Sequence, residues 1–439
     1  MTTKQPNDAQ SPMACPVHLE DVDLFGPGAP AQWYEAYDIL HREAPVHRIP
    51  GEGYAPGADA FILTKHEDLA RVVRDEQRFP AAGTLFLRQY IEQGGDPFER
   101  PELSTLLASM VTLRPNPELW RRHRKELTDP WVGPGATRNE GMVTEIANSL
   151  VDRWLDRGRV EFITEFAAPL PHTVMARVLG WPVEDLKLLK YYGDGTVKPY
   201  VYGSHHNNIL DEADAADMAQ RLAEFKAYVA ALIAEKRKNP AEDMISFLAE
   251  VEYSPLERKL TDLEINGIVY AMVIGGLETT QYALAEQVQL LIERPQIWSA
   301  LKADRAKIRP FIEEGMRLRS PTQGLSTRVT TQDEVFQGVE VPKGSFLHMR
   351  WAAANIDPDE WNDAKELKLD RKAGTRHLAF SQGQRVCPGA TLSRVEQVGA
   401  WNVLLDRVAE FRLAEDNTFP YQPGIMLGLL ELNLEVDKA

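Results

Sequence analysis

Phe380-Ser381-Gln382-Gly383-Gln384-Arg385-Val386-Cys387-Pro388-Gly389 is the stretch from which the rest of the chain can be read. It fits FxxGxRxCxG, five fixed positions that include a rare cysteine. Average residue usage would produce such a match in a chain of this length on the order of once in ten thousand. Pro388 stands where the first residue of a helix favours proline, so the spacing predicts the Cys387 sulfur at a helix amino terminus. There, unpaired N–H groups and the positive end of the helix dipole favour a thiolate over a thiol. The only other cysteine is Cys15, far away in sequence, so neither a disulfide framework nor a CxxC zinc site can be built. A lone cysteine is more often a buried small hydrophobe, and it is the surrounding pattern that argues for chemistry here.

A thiolate without a second cysteine or a neighbouring histidine is a poor zinc site but suits a single axial ligand to haem iron. Gly383 and Gly389 would remove side chains where a macrocycle presses on the backbone, and Arg385 could donate a charge-assisted hydrogen bond to a propionate. Upstream, Thr261 and Glu264 form a capping-box pattern, and apolar sequence then runs until Pro295. The spacing predicts one helix of about 33 residues, roughly 50 Å long. Gly275 and Gly276 fall near its middle, each costing about 1 kcal/mol relative to alanine. Close approach of a flat ligand or tight helix packing would compensate.

From Pro30 to about Glu250 the chain reads as amphipathic helices, interrupted by a small sheet over Val46 to Thr64. Phe79 to Pro117 and Tyr192 to Leu210 lack clear periodicity and are expected to be long functional loops. A helix over Lys307 to Arg319, a β-like stretch from Val329 to Leu347, an irregular segment from Asn355 to Phe380 and a last helix from Pro388 complete the chain. No repeat or linker divides it, so a mobile segment over 1–29 and one mainly α domain over 30–439, with a small β-rich region, are expected. Hydrophobic residues at 44% and charged residues at 26% exclude a disordered chain. The net charge of −16 argues against general binding to nucleic acid or anionic membrane. The start is polar and lacks the pattern of a signal peptide. The longest apolar run, Gly267 to Leu277, falls short of the roughly 20 residues that span a bilayer. A cytoplasmic protein with no membrane contact is expected.

The cysteine segment resembles the haem-binding loop of cytochrome P450, and other stretches match that family in order. Gly275-Gly276-Leu277-Glu278-Thr279-Thr280 resembles its oxygen-activating motif, and Glu314-Gly315-Met316-Arg317 its ExxR motif, whose i,i+3 spacing places both charges on one helix face. Trp120-Arg121-Arg122-His123-Arg124 resembles its WxxxR motif, which bacterial members often write with histidine in place of the tryptophan. Arg328 resembles the arginine that follows the ExxR helix. The resemblance covers about Pro30 to Glu435 and implies a helical fold with haem b held between the long helix and the C-terminal helix. It implies Cys387 as the iron ligand, with Trp120, Arg124, Gly276, Arg328, Phe380, Gly383, Arg385 and Gly389 around the haem. Glu278 and Thr279 become the catalytic acid and alcohol, because cleavage of the O–O bond of dioxygen needs two protons. Read without the family, they are an ordinary helix acid and a threonine bonded back to a carbonyl. Glu314 and Arg317 would form a buried structural set with Arg371, which precedes His377 by one residue more than usual; alone they read as an exposed pair worth a few tenths of a kcal/mol.

The resemblance further implies a monooxygenase that inserts one oxygen atom into a hydrophobic small molecule, by hydroxylation or O-dealkylation. A peroxide-driven peroxygenase and a non-catalytic haem sensor or carrier are the alternatives. The pocket would be lined by Leu85, Phe86, Leu87, Leu325, Ile425 and Met426, with the segment near Tyr200 and Tyr202. Lys198, His205 and His206 are candidates for a polar substrate group, although a solvated loop is the commoner role. The chain has no flavin or nicotinamide domain and no iron–sulfur cysteine set, so electrons from NAD(P)H would arrive through separate proteins, a ferredoxin and its reductase. Arg121 and Lys125, i and i+4, would lie on a different side of their helix from Trp120 and Arg124. That local basic patch on an acidic protein could steer an acidic ferredoxin.

Overall fold

The computed structural model describes residues 16–26, 28–99, 105–201, 210–324, 327–372, 376–422 and 424–439, with main chain only at 105 and 196–201. Its centre is the apolar stretch that begins at the predicted cap. Thr261 Oγ1 accepts from the Glu264 N–H at 3.2 Å while Glu264 Oε2 accepts from the Thr261 N–H at 2.8 Å. The helix that follows buries Ile265, Ile268, Val269, Tyr270, Met272 and Val273, on more than one face, as expected of a helix crossing a core.

One long helix was expected here, and the structure shows two, Asp262–Gly276 and Glu278–Glu293, broken at Leu277. The physical reason lies in the glycine pair and the threonine after it. Thr279 Oγ1 donates to the Gly275 carbonyl at 2.8 Å, inserting a hydroxyl into the i→i−4 ladder where two glycines already weaken it.

The second helical half is pinned to the helix that follows the cysteine, Ala390–Arg407. Gln287 donates to Gln397 at 2.6 Å and accepts from the Trp401 indole at 2.7 Å, and Thr280 and Ser393 share a hydrogen bond at 3.0 Å. Buried polar links of this kind fix one register between two helices, because any slip would orphan several groups at once.

The small β region holds as read. Val46–Ile49, Ala60–Leu63, Phe346–Met349 and Thr327–Val329 form one four-stranded sheet in that order, with only the middle pair parallel. Glu334–Phe336 and Val339–Val341 form a separate hairpin, turned by Gln337 and Gly338 at φ 47° and 78°. A three-stranded sheet joins Val408–Leu413, Asn433–Lys438 and Arg159–Glu161. Within the first 29 residues, Leu24 is buried and its carbonyl accepts from Trp33 Nε1 at 3.1 Å, so the chain is held against the core from that point.

Two segments expected to be loops contain helices instead. Ala82–Glu92 and Thr105–Leu113 lie in the first, and Leu186–Val201 covers half of the second. Thr105–Leu113 is apolar on nearly every side, so it carries no periodic contrast to read.

Glu286, on the second helical half, is fully buried, and burial pushes its carboxyl up to about 7 against the opposing pull of Arg319. It accepts from Tyr421 Oη at 3.0 Å. A folded-state value above the unfolded one means that this group's contribution is complete below about pH 4.5 and is lost as pH rises through 7. Glu286→Gln is therefore expected to flatten the fall in stability between about pH 4.5 and 7, by about 3 kcal/mol at the neutral end. Urea midpoints across that range would check it.

Candidate active site

Pro117–His123 begins with a cap read correctly from sequence: Asn116 Oδ1 accepts from the Leu119 N–H at 2.9 Å and Pro117 takes the first helical position. That cap sets the helix phase, which turns Trp120 and Arg124 inward and leaves Arg121 and Lys125 exposed, without an ion pair among the described residues. Arg124 donates to the Val386 carbonyl at 2.7 Å, tying this helix to the residue before Cys387.

A cleft enclosing about 970 Å³ of atom-free space, part of it open to solvent, lies between the broken helix and the cysteine segment. Its walls include Gly275, Gly276 and Thr279 on one side, Phe380, Cys387 and Gly389 on the other, and Trp120, Arg124 and Arg385 at one end. A Cβ on Gly275 would meet nothing within 4 Å, and one on Gly389 would meet only the Cys387 sulfur, at 4.0 Å. The two glycines thus leave the space a flat ring would need.

Two expectations change in detail. The helix after the cysteine begins at Ala390, with Pro388 in the preceding turn, so Cys387 sits just outside the helix end. The sulfur still receives the N–H groups of Gly389 and Ala390, yet burial pushes the Cys387 thiol up, outweighing those donors and the nearby Arg124 and Arg394 cations. The thiol therefore favours its neutral form until a cation arrives to hold the anion. Gly383 lies outside the cleft wall: its φ is +71° and a Cβ there would come within 2.9 Å of the Val73 carbonyl, so a turn and close packing on the His66–Arg74 helix require it. Gly276 does line the cleft, but a Cβ on it would meet the Met175 methyl at 2.2 Å, so Gly275 is the more open of the pair.

Sequence reasoning missed Arg114. Its guanidinium lies 4.1 Å from the Trp120 ring centroid, and that of Arg385 lies 4.5 Å from it. Burial, with Arg385 and Arg124 nearby, brings Arg114 down to about 9, and burial beside Arg385 brings Arg328 down to about 10. Arg385 is bound by Glu76, with Nε at 2.7 Å from Oε1, and Arg124 by Asp129 at 3.1 Å. Arg114 Nε and Trp120 Nε1 are buried in the cleft wall without hydrogen-bond partners among the described residues. Four arginines against two carboxylates, with two orphaned donors, form a site for a ligand bearing more than one negative charge. A flat slot, one thiol and an anion-binding end together fit a haem with its two propionates. Among the described residues no cluster of histidine, cysteine and carboxylates could hold a bare metal ion instead.

The acid and alcohol separate. Thr279 lines the cleft, whereas Glu278 lies outside its wall, half-buried beside Asp194, Lys190 and Tyr282. Burial, reinforced by the Asp194 charge, pushes Glu278 up to about 7. Glu396, on the cysteine helix, was also missed; it lines the cleft and burial pushes it up to about 8.

The ExxR pair is buried, not exposed. Arg317 donates to Glu314 through Nε at 2.7 Å and Nη2 at 3.0 Å, and Arg371 Nε reaches the same carboxylate at 2.9 Å. The extra residue before His377 does not stop Arg371 from joining.

The expected pocket-lining residues do not form the cleft wall. Leu87 is buried, Leu85 packs near Phe346 and Val329, and Phe86 is 41% exposed. Ile425 and Met426 pack with Tyr282 against Ile274, which does line the cleft, so they back its wall without forming it. The Ala82–Glu92 helix explains the first three, since its phase spreads adjacent residues around the axis. Leu106, Met272 and Ile274 supply the apolar wall instead. Leu325, Tyr202, His205 and His206 lie outside the described residues, as do the side chains of Lys198 and Tyr200.

Known proteins resemble the chain throughout. A family model described as Cytochrome P450 matches residues 197–407. Cytochrome P450 107B1 of Saccharopolyspora erythraea is 30% identical over 85% of this chain and 87% of its own. The steroid C26-monooxygenase of Mycolicibacterium smegmatis is 31% identical over 67% of this chain and 72% of its own. The solved structure of P450BioI, in complex with an acyl carrier protein carrying hexadec-9Z-enoic acid, superposes with a TM-score of 0.79 at 24% identity, covering 93% of this chain and 99% of that one. Among the described residues no helix is long and apolar enough to cross a membrane. The cleft with its single thiol and this similarity across most of the chain lead to one conclusion: the chain belongs to the cytochrome P450 family of haem-thiolate monooxygenases, enzymes served by redox partners and acting on small molecules.

Proposed function

We propose that residues 30–439 form one catalytic domain that binds haem b and takes two electrons, originating in NAD(P)H, from a ferredoxin and its reductase. It inserts one oxygen atom of dioxygen into a hydrophobic small organic molecule, by hydroxylation or O-dealkylation. The observation that carries this reading is Thr279 at the helix break, facing the cleft that Cys387 also lines. When bound, the haem supplies the iron at which dioxygen is activated.

Every other task falls to the chain. Cys387 would hold the iron, and Arg114, Trp120, Arg124, Arg328 and Arg385 would hold the propionates. The break in the helix frees a backbone carbonyl at Gly275, and Thr279 keeps its hydroxyl on that carbonyl, poised to donate into the cleft instead. Glu278, one position back and half-buried, holds a proton near neutrality; its donor form is lost as pH rises through about 7. The wall of Leu106, Met272 and Ile274 favours an apolar substrate. Arg121 and Lys125, exposed on the far side of the helix that presents Trp120 and Arg124, offer an acidic ferredoxin a docking surface whose strength falls with salt.

Thr279→Ala tests the reading. The haem should stay bound and NADH consumption should stay within a few-fold of wild type. Product formed per NADH should fall about tenfold, roughly 1.4 kcal/mol in partitioning. Unchanged coupling would remove Thr279 from the proton path, and the absence of NADH consumption in either form would identify a carrier.

A further inference from the structure

Glu313, next to the ExxR glutamate, is also buried, yet it faces different partners. Arg394 grips it with two hydrogen bonds, Nε to Oε1 at 2.8 Å and Nη2 to Oε2 at 2.9 Å. Arg309 Nε adds a third at 2.6 Å. His377 Nε2 lies 3.0 Å from Oε2. The other ring nitrogen, Nδ1, accepts from the Ala379 N–H at 3.2 Å, so the proton resides on Nε2 and the imidazole donates to the carboxylate.

These partners flank the cysteine loop. His377 precedes Phe380, and Arg394 lies on the helix that follows Cys387. The Phe380 ring is held between them, 6.0 Å from the His377 ring and 4.4 Å from the Arg394 guanidinium. The Phe380 carbonyl in turn accepts from the Cys387 N–H at 2.9 Å. One carboxylate thus holds the segment entering the loop and the helix leaving it, and the residue between them fixes the sulfur's own backbone.

We propose that Glu313 is a positioning residue for the haem thiolate: through His377 and Arg394 it sets the height and angle of the Cys387 loop against the iron. The inference rests on the haem-thiolate reading and adds to it a second charge cluster beside that of Glu314, with a distinct task. Glu314 ties down the irregular segment around 362–371, whereas Glu313 ties down the loop that carries the ligand. Removing the Glu313 charge turns one half of the carboxylate into an amide that faces donors with donors.

The test uses haem-loaded protein and reads the Fe–S bond itself. In Glu313→Gln, the reduced CO complex should convert from the thiolate-ligated to the thiol-ligated spectrum about tenfold faster than in wild type at fixed mild urea, and the reduction potential should shift. His377→Gln keeps the Arg394 contact and should show a smaller change of the same sign; it decides the matter if Glu313→Gln does not fold. Glu286→Gln, a buried acid outside the cleft, is the control and should alter stability without altering the spectrum or potential. Wild-type conversion rate and potential in His377→Gln, or in a folded Glu313→Gln, would overturn the proposal. A wild-type protein that binds haem without a thiolate spectrum would instead overturn the haem-thiolate reading.

Discussion

Arg317→Leu is expected to lower folding stability by about 3–5 kcal/mol, among the largest losses any single substitution in this chain should cause. The side chain is fully buried and every one of its five N–H donors is used. Nε and Nη2 meet Glu314, Nη1 meets the carbonyls of Asn355 at 2.9 Å and Ala364 at 2.5 Å, and Nη2 also meets that of Glu366 at 3.0 Å. Leucine would leave Glu314 in the core with Arg371 as its one remaining cation and would strip the Asn355 and Ala364 carbonyls of this donor, while that of Glu366 keeps Arg371 Nη2 at 3.0 Å. Arg317→Lys should fare little better, because three donors on a point charge cannot replace a planar fork of five. Urea midpoints of the two variants against wild type would measure the loss. A midpoint unchanged in Arg317→Leu would show that the set contributes nothing to the fold.

Cys387→Ser should abolish turnover, to below about one-hundredth of wild type, while leaving the fold and most of the anion-binding end intact. Serine keeps the shape of the residue, so the N–H groups of Gly389 and Ala390 lose no steric fit. What disappears is a polarizable anion able to push electron density toward the iron. Because burial holds the thiol in its neutral form until a cation balances it, serine, whose hydroxyl is a far weaker acid, should ligate poorly even with haem in place. Turnover and haem content measured on the same preparation separate the two effects: haem retained with activity lost is the expected outcome. Undiminished turnover would show that another residue ligates the iron.

The features legible in the sequence were those whose chemistry is local. The cysteine loop, the Thr261 cap, the Asn116-Pro117 helix start and the i,i+3 pair Glu314 and Arg317 each sit within a few residues, where spacing alone reports geometry. Less legible were features made by long-range packing. Arg114 lies in a stretch without periodicity, and only the fold shows that it faces Arg385 across Trp120, some 270 residues on. Its one early signal was a cation two residues before a helix cap in a segment that also supplies Trp120. The helix Thr105–Leu113 escaped because a nearly all-apolar sequence has no polar face to mark its period. The glycine pair signalled a weak point correctly, but whether the helix would bend or break depended on the Thr279 hydroxyl finding the Gly275 carbonyl. The pocket residues around Leu85 were placed by resemblance, and the phase of their helix sends them elsewhere.

The most direct test of the central claim is the optical spectrum of the reduced, CO-bound protein after titration with haem. One haem per chain and the strongly red-shifted Soret band of a thiolate-ligated iron are the result that this structure predicts. Saturable haem binding with the band of a histidine- or thiol-ligated iron, or no binding at all, would contradict it.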